Sequence, residues 1–514
     1  MPPREKTAHS NVRLQNLRTR WVQWVLFFLL LSGFGLRMID LTDPPLDFHP
    51  TRQYHGALVA RSIYYQMAPV DDTNVQKQAL AQRYSVAQLE PPILESLVAL
   101  GYFVAGGEYL WIARIITSLL WVMAAVPLYA LAAHMTSPTS GLIVAAYYLF
   151  LPFAVQASRS FQPDPFMVAM FIVVMFATYR WSEKQEWKWA LLAGISSGFA
   201  ILIKAVAAYL ILGILAASVL YTLGIRAALR NRQVWVMALI TILPAGLYYV
   251  LSIGGTSGNY FQNWIVALLP LAFRPVFYVR WVNILTDLLG MASLVVALSG
   301  LLIAQSRGRW LLIGAWLGYG VYGITLPYQT ITHSYYHLQL VPIAALSIAP
   351  VVDLTVKRVI QQTRPWQALF AFLAVSVLVF AAGTARFGML SVDYRNEPVF
   401  WERIGKVIPM DGKTIGLIQD YGNLLNYYGW RHVKIWPVTG ELALAGLRGN
   451  SIEDFEGFFL ERTMGMDYFL ITAFNQLEQQ PLLQEYLADH YSIYAEGDGY
   501  VIYDLHGLLS PASN

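Results

Sequence analysis

Residues 21–38 read WVQWVLFFLLLSGFGLRM, an apolar run long enough to cross the hydrocarbon core of a bilayer. The stretch that follows at 42–61, TDPPLDFHPTRQYHGALVAR, crowds acidic, basic, imidazole and amide side chains together. Such groups are costly to place near lipid and usually mark a functional polar site. The apolar run is interpreted as a retained anchor, because it is long for a signal peptide and no small-residue cleavage site follows it.

The composition extends this interpretation to the whole chain. Of its 514 residues, 56% are hydrophobic and only 13% are charged, and the mean hydropathy is +0.46. A soluble globular chain averages about 25% charged residues. This deficit, together with repeated apolar runs, predicts a polytopic α-helical membrane protein. The chain has no cysteine, which excludes disulfides, thiolate metal sites and cysteine nucleophiles.

The apolar runs predict eleven transmembrane helices. Their bounds are 21–38, 112–133, 139–157, 165–181, 188–203, 205–222, 234–252, 284–304, 310–327, 337–352 and 366–384. In this count, the short loops on the side of the N-terminus are rich in basic residues. These are Arg13, Arg18, Arg20, Arg180, Lys184, Lys188, Arg226, Arg230, Arg232, Arg307, Arg309, Lys357, Arg358 and Arg364. Because cytoplasmic loops carry an excess of Lys and Arg, the N-terminus is predicted to be cytoplasmic.

The apolar stretch 93–107 is not counted as a span. It is only about 15 residues long, it contains Glu95, and it follows the pair Pro91-Pro92. A crossing there would put four basic loops outside, against the positive-inside bias. We therefore predict that it lies along the outer leaflet or dips into it. It then belongs to one large external loop, 39–111, which also holds an amphipathic helix at Gln53–Gln66.

Residues 386–514 differ in character from the rest of the chain. They contain 9 Lys or Arg and 17 Asp or Glu, a net charge of −8, whereas residues 1–385 carry +12. Short apolar strands alternate with helical stretches, which is typical of a small α/β domain. The predicted strands are Thr414–Gln419, Val433–Val438, Tyr468–Thr472 and Tyr500–Tyr503, and the predicted helices are Pro398–Ile408, Ile452–Thr463 and Pro481–His490.

The predicted organisation is a cytoplasmic tail at 1–20, a membrane module at 21–385 and an extracytoplasmic domain at 386–514. The acidity of that domain argues against a nucleic-acid partner. A nucleotide site is not expected either, because residues 419–423 after its first strand lack the G-x-G pattern of a phosphate cradle. The chain is thus predicted to be a multi-pass protein of the cytoplasmic membrane.

This topology collects polar residues from distant parts of the chain at the outer face of the membrane. They are Asp47, His49, Arg52, Gln53, His55 and Glu90 in the first external loop, Arg159 and Asp164 between the third and fourth spans, Lys204 between the fifth and sixth, and His333, Tyr335, Tyr336 and His337 between the ninth and tenth. Since all of them fall at one depth, they predict a single site.

These motifs resemble those of the GT-C superfamily of polyprenyl-phosphate-sugar-dependent glycosyltransferases. Within it, the chain looks like the bacterial branch similar to protein O-mannosyltransferases (glycosyltransferase family 39) and to the aminoarabinose transferase of lipid A. The resemblance covers roughly residues 20–385. It rests on Asp47, Glu90-Pro91-Pro92, Gln162-Pro163-Asp164-Pro165, Lys204 and the segment His333–His337. The chain departs from the pattern at Phe48 and Glu90, where relatives often have a second acid and a Lys or His.

The resemblance implies inverting transfer of a hexosyl or pentosyl group from a polyprenyl phosphate to an acceptor hydroxyl at the outer face of the membrane. Asp47 is then the general base, since one carboxylate suffices to take the hydroxyl proton. The candidates for binding the donor phosphate are Lys204, Arg159, His333 and His337, and those for lining the substrate site are His49, Arg52, Gln53, Glu90, Asp164 and Tyr336. The acceptor is a lipid, a glycan or a protein, and the apolar spans, in contact with membrane lipids, would hold the polyprenyl tail.

Each assignment has a structural alternative. Asp47 and Asp164 suit the N-caps of helices that begin near Pro50 and Pro165. Lys204 can extend to lipid headgroups. Arg159, His333 and His337 suit interface residues, and Arg52 and Gln53 can pair with Asp43 or with solvent. No cofactor is firmly predicted; a divalent metal at His49, His55 and Glu90 is an alternative that no characteristic ligand spacing supports.

Two other classes of function remain open. One is a transporter or flippase of lipid-linked sugars, which would place ionisable residues near the membrane midplane and show internal repeats. The polar residues here cluster at one face, which favours an enzyme. The other is a non-catalytic envelope receptor, in which Asp47 would be dispensable.

Overall fold

The computed structural model describes residues 5–68, 73–87, 90–251, 261–450 and 452–507, with side chains of the first helix from Arg20 onward. Parts of the predicted tail 1–20, loop 39–111, span 234–252 and domain 386–514 therefore lie outside the described residues. The chain divides into two compact units. The first comprises Met1–Leu41 and Ala113–Ser391, and the second comprises Thr42–Ile112 and Val392–Asn514.

Every described secondary-structure element of the first unit is helical. The α-helices are Glu5–Arg37, Trp111–Met135 (beginning two residues before the unit), Pro138–Phe150, Pro152–Ser158, Pro163–Lys184, Trp187–Ile203, Ala207–Ala228, Arg232–Leu251, Pro275–Leu289, Met291–Ile303, Ser306–Thr325, Pro327–Thr332, Leu340–Ile360 and Arg364–Met389. Short 3₁₀ or π turns lie at Gln262–Val266, Leu269–Phe273 and Ser334–His337. The predicted polytopic helical fold is confirmed.

Within the described residues, six helices are long and apolar enough to cross a membrane, and eight spans result if two bent helix pairs count as one span each. The six are Trp111–Met135, Pro163–Lys184, Ala207–Ala228, Arg232–Leu251, Ser334–Ile360 and Arg364–Met389. All six coincide with predicted spans. A seventh predicted span, 139–157, corresponds to a pair bent by 62°, where Pro152 begins a new helix. The total of eleven stays a prediction.

The predicted span 284–304 is wrong in its bounds. The chain breaks at Gly290, whose φ of 85° suits glycine and is rarely adopted by other residues. One helix, Pro275–Leu289, ends before this residue, and another, Met291–Ile303, begins after it. The apolar run is continuous in the sequence, and Gly290 is the residue at which the helix is interrupted.

Small residues line one close helix contact of the first unit. Ala207–Ala228 packs along Ser306–Thr325, and Gly213, Gly314 and Gly318 lie where the two backbones meet. A Cβ at Gly314 would collide with the Gly213 carbonyl oxygen. The Gly-x-x-x-Gly spacing at 314–318 is a recurrent helix-packing pattern in membranes, because it lets two backbones approach without side chains between them.

The second unit combines residues 42–112, most of the loop predicted to be external, with the C-terminal α/β domain. Its helices are Pro50–Met67, Thr73–Ser85, Ile93–Ala105, Glu397–Val407, Asn423–Tyr428, Thr439–Leu447, Phe455–Thr463, Phe474–Leu477 and Pro481–His490. The strands are β1 (Thr414–Leu417), β2 (Val433–Ile435), β3 (Tyr468–Ile471), β4 (Ile493–Gly497) and β5 (Tyr500–Asp504). The four predicted strands and three predicted helices are all present, with bounds shifted by a few residues.

The five strands form one mixed sheet in the order β2-β1-β3-β5-β4. β1 is parallel to both β2 and β3, whereas β5 is antiparallel to β3 and β4. Trp436, Phe459 and Phe469 centre the domain core, and the Trp436 indole donates to Gln480 Oε1 at 2.9 Å. β4 was not predicted, because as an exposed edge strand it has no buried apolar face.

The external loop and the C-terminal domain are joined by buried polar contacts. Arg61 donates to the Tyr427 carbonyl at 2.7 Å, and Gln82 donates to the Asn426 carbonyl at 2.7 Å. Thr51 donates to Asp420 Oδ1 at 3.0 Å. These bonds tie one short segment of the domain to two helices of the loop, so residues 42–112 fold with the domain as one unit.

Candidate active site

The predicted base lies in the second unit, in the loop that precedes Pro50–Met67. The N-cap of this helix is His49, in the left-handed conformation at φ 48°, and not Asp47. Asp47 stands two residues earlier and remains partly exposed. The structural alternative, in which Asp47 caps this helix, is therefore not what the structure shows.

Gln53 stabilises the backbone of this loop. It is fully buried, and its amide nitrogen donates to the carbonyls of Pro45 at 3.1 Å and Phe48 at 2.7 Å. The two acceptors lie on either side of Asp47 in the chain. Gln53 was predicted to line the substrate site, but its contacts make it a support of the loop that carries the carboxylate.

Replacing Gln53 with Met should therefore disturb the Asp47 loop. The change keeps the side-chain length but leaves two buried carbonyls without their donor, which we expect to cost about 1–3 kcal/mol of stability and to slow transfer. Thermal unfolding and steady-state rates measure the two effects. Gln76→Met is the matched control, since Gln76 donates to a single carbonyl, that of Tyr65, away from this loop. Equal rates in both variants would contradict the supporting role of Gln53.

Asp43 anchors the same loop to the beginning of the C-terminal domain. This buried carboxylate accepts a hydrogen bond from the Tyr394 backbone at 3.0 Å and lies 3.6 Å from the Arg395 guanidinium. Burial raises the pKa of the Tyr394 phenol, and the charges of Asp47 and then Asp43 raise it further. The phenol is therefore a protonated group in the electrostatic field of the predicted base. Neither Asp43 nor Tyr394 was predicted from the sequence to have a site role.

The alternative metal site at His49, His55 and Glu90 does not fit the contacts of two of its three residues. Arg52 reaches both Glu90 oxygens, at 3.0 and 3.2 Å. His55 Nε2 lies 2.7 Å from the Ala87 carbonyl, so this nitrogen donates and cannot bind a metal. Burial, and then the Arg52 charge, lower the pKa of His55. In the described parts of the chain, no three His, Asp or Glu side chains are grouped as a metal site.

Lys204 and Asp164 form a buried ion pair in the first unit. Lys204 Nζ donates to both Asp164 oxygens at 2.8 Å, and the two residues are 4% and 1% exposed. The N-cap of Pro163–Lys184 is Gln162, so Asp164 is not the cap that the alternative required. Lys204 is also too buried to extend to lipid headgroups. Both structural alternatives for this pair are thus wrong.

Aromatic rings surround the ammonium of this pair. Lys204 Nζ lies 4.9 Å from the ring centroid of Tyr335 and 4.8 Å from that of Tyr336. The negative face of an aromatic ring attracts a cation, which adds to the pairing with Asp164. Of the predicted site residues, the structure thus brings Asp164, Lys204 and Tyr336 together.

His337 has a structural role in the described structure. Its Nε2 lies 2.8 Å from the Thr330 carbonyl and its Nδ1 lies 2.6 Å from the Tyr319 hydroxyl. The carbonyl can only accept, so Nε2 carries the proton and Nδ1 accepts from Tyr319. Both ring nitrogens of this fully buried residue are thus occupied, which argues against the predicted phosphate contact. His333, by contrast, is partly exposed, and its Nδ1 lies 2.7 Å from the Thr332 hydroxyl.

Arg159 supports the turn after the first helix. It is 1% exposed, and it donates to the Asp40 carbonyl at 2.9 Å. Arg114 donates to the carbonyls of Asp40 and Leu41 at 2.9 and 3.2 Å, and Asp40 itself has a φ of 51°. These contacts argue against the phosphate role predicted for Arg159. Two buried arginines instead fix the backbone seven residues before Asp47.

Comparison with known proteins gives one family match. Residues 89–249 match the family described as dolichyl-phosphate-mannose-protein mannosyltransferase. This segment contains Glu90, Arg159, Asp164 and Lys204. No curated protein sequence matches significantly.

Solved structures share the fold over nearly the whole chain. ArnT from Cupriavidus metallidurans in the apo state is 14% identical, with a TM-score of 0.55 over 95% of this chain and 98% of ArnT. ArnT bound to undecaprenyl phosphate is 14% identical, with a TM-score of 0.51 over 94% of this chain and 98% of ArnT. The oligosaccharyltransferase AglB from Archaeoglobus fulgidus, in complex with an inhibitory peptide and a dolichol-phosphate, is 13% identical. Its TM-score is 0.56 over 95% of this chain and 74% of AglB. The family match over residues 89–249 and the shared fold confirm the resemblance predicted from the sequence.

Proposed function

We propose that the protein transfers a sugar from a polyprenyl phosphate to an acceptor hydroxyl at the outer face of the cytoplasmic membrane, with Asp47 as general base. The observation that carries this proposal is the Asp47 loop. Its carboxylate is partly exposed and does not cap the helix that follows, while Gln53 and Asp43 hold the loop on both sides. A fixed backbone beneath a partly exposed carboxylate suits a general base, whose position must be maintained.

The reaction is a displacement at the anomeric carbon. The acceptor oxygen forms a bond to this carbon as the bond between carbon and phosphate oxygen breaks, with inversion. Asp47 takes the hydroxyl proton, and the phosphate leaves with the bonding electron pair. Because phosphate is a good leaving group, the reaction needs a cation to stabilise its charge but no general acid. The neighbours bound to undecaprenyl phosphate and to dolichol-phosphate support a lipid phosphate as the leaving group here.

Lys204 is the cation that we assign to this phosphate. Its ammonium is already paired with Asp164 and enclosed by two tyrosine rings, so its position is fixed before the donor binds. A preorganised charge in a site that excludes water stabilises developing negative charge better than a mobile one. His333, which is partly exposed, is the second candidate. We derive no step through a divalent metal, because two of the residues predicted for it have other partners: Glu90 accepts from Arg52, and His55 contacts the Ala87 carbonyl.

The glycosylated product of the proposed reaction can be sought in whole cells. Mass spectrometry of envelope lipids and glycoproteins should show one class of molecule that carries an additional hexose or pentose in cells with the protein. The same class should lack this sugar in cells without the protein and in cells with Asp47→Asn. Identical profiles in all three strains would contradict transferase activity in the envelope.

The proposal requires the C-terminal domain to lie outside the cytoplasm, with the N-terminus inside. This orientation follows from the basic loops and from the odd number of predicted spans. Reporter fusions after Arg232 and after Asn514 are therefore expected to report opposite sides of the membrane. The same report from both fusions would contradict the five spans predicted between Arg232 and Asn514, and with them the count of eleven.

A further inference from the structure

A cavity of about 470 Å³ lies within the second unit, formed by the external loop and the C-terminal domain. The residues that matter for its chemistry are Arg61, Glu108, Tyr109, Trp111, Glu402 and Trp430. None of them belongs to the site assigned to sugar transfer. Pockets of this size with a few polar groups among aromatic side chains are typical of sites for small ligands or headgroups.

The cavity already holds one cation on its aromatic wall. The Arg61 guanidinium lies 3.8 Å from the ring centroid of Tyr427 and 4.3 Å from that of Trp430. Its charge is matched by Glu108, whose carboxylate oxygen accepts from Arg61 Nε at 2.7 Å. The arginine is therefore fixed in place, and Glu108 offsets its charge.

The remaining charge of the lining is negative. Its other two carboxylates are Asp43 and Glu402. Arg395 lies beside Asp43 at 3.6 Å, whereas no described cation pairs with Glu402, which is exposed. Aromatic rings and an uncompensated carboxylate in one cavity attract a cation and not an anion. The net charge of −8 on residues 386–514 has the same sign.

The position of the cavity in the chain indicates where its ligand comes from. Trp111 is the first residue of Trp111–Met135, a helix long and apolar enough to cross a membrane. Its ring lies 5.7 Å from that of Tyr109, also in the lining. Paired Trp and Tyr at the end of a membrane helix mark the level of the lipid headgroups. Trp111 and Tyr109, on one side of the cavity, thus lie at the level of the lipid headgroups.

We propose that this cavity binds the ammonium headgroup of a membrane lipid, with Glu402 accepting from the ammonium and the rings of Tyr109 and Trp430 packing against it. The site is separate from Asp47 and does not depend on the proposed transfer reaction. A lipid with a primary ammonium fits both the charge of the lining and its level in the membrane. A lipid with an uncharged glycerol headgroup offers the same phosphate but not the cation.

The test is lipid binding to the purified full-length protein by native mass spectrometry. Dioleoyl lipids with an ethanolamine or a glycerol headgroup are titrated under identical conditions. We expect a preference of roughly 5- to 10-fold for the ethanolamine lipid, most of it lost in Glu402→Gln and part of it in Tyr109→Leu. Glu485→Gln, on an exposed helix of the same domain, removes an equal charge outside the cavity and should keep the preference.

Glu402 is exposed, so Glu402→Gln should fold normally, and unchanged thermal unfolding verifies this. Equal binding of the two lipids by the wild-type protein would overturn the proposal. So would a preference that survives intact in the double variant Glu402→Gln/Tyr109→Leu. Full competition by free ethanolamine at the lipid concentration would also overturn it, because it would show a soluble amine as the ligand.

Discussion

Asp47→Asn is expected to reduce sugar transfer by about 10²-fold or more, because an amide cannot take the proton of the attacking hydroxyl. The substitution keeps the size of the side chain and one of its oxygens. It also leaves the supports of the loop in place, since Gln53 donates to backbone carbonyls and Asp43 bonds to Tyr394. Transfer from a defined polyprenyl-phosphate sugar, measured over a range of donor concentrations, should show a lower kcat with little change in KM for the donor.

The control for this prediction is Asp489→Asn, which removes a carboxylate from the C-terminal helix Pro481–His490 without touching the loop. Its transfer rate should equal that of the wild type. If Asp47→Asn unfolds at the wild-type temperature and still transfers sugar at a near-normal rate, Asp47 is not the base.

Lys204→Met should destabilise the protein by about 3–5 kcal/mol, because it leaves the Asp164 carboxylate buried and unpaired. The two residues are 4% and 1% exposed, and both Asp164 oxygens accept from the ammonium. Thermal unfolding in detergent reports this loss. The stability effect alone does not separate a structural ion pair from a donor-binding one.

The double variant Lys204→Met/Asp164→Asn makes that separation. It removes both charges, so it should recover most of the lost stability. If Lys204 also contacts the donor phosphate, the folded double variant should still use the donor roughly 10- to 100-fold less well, with little change in dependence on the acceptor. Recovery of both stability and donor use would reduce the pair to a purely structural role.

Much of the architecture follows from local sequence. Six long apolar helices lie at predicted spans, since a run of about 20 apolar residues leaves a membrane chain few other conformations. The strands of the C-terminal domain that are buried against Trp436 and its neighbours were predicted from their apolar character. The missed strand, β4, has a local signal of its own: Asp498-Gly499, with Gly499 at φ 82°, is a typical two-residue hairpin turn.

Other features depend on contacts between segments remote in sequence. Arg37 and Arg114 resemble ordinary basic residues near helix ends, but both are buried. Arg37 donates to Ser158 Oγ at 2.7 Å, and Arg114 to the turn at Asp40. The folding of residues 42–112 with residues 392–514 depends on Arg61 and Gln82 reaching the helix Asn423–Tyr428. The sequence alone does not show which basic side chains donate to backbone carbonyls.

In the candidate site, too, some residues could be predicted from the sequence, whereas others depend on contacts between remote segments. Residue type and predicted topology made Asp47, Asp164, Lys204 and Tyr336 candidates, and the structure brings Asp164 and Tyr336 to Lys204, while their roles stay predictions. The supports of the Asp47 loop, Gln53 and Asp43, were not predicted as supports, since an amide or acid that bonds to backbone is recognised only from the folded loop. Arg159 and His337 were assigned to the phosphate on charge and location alone, and their buried partners argue otherwise.

The most direct test of the central claim is turnover by the purified full-length protein. A polyprenyl phosphate that carries a radiolabelled sugar is supplied with an envelope extract from cells lacking the protein. We expect free polyprenyl phosphate and a new labelled glycoside to appear in equal amounts, and both to fall by about 10²-fold or more with Asp47→Asn. Binding or movement of the intact labelled lipid across a vesicle membrane, with no cleavage of its sugar–phosphate bond, would contradict the account.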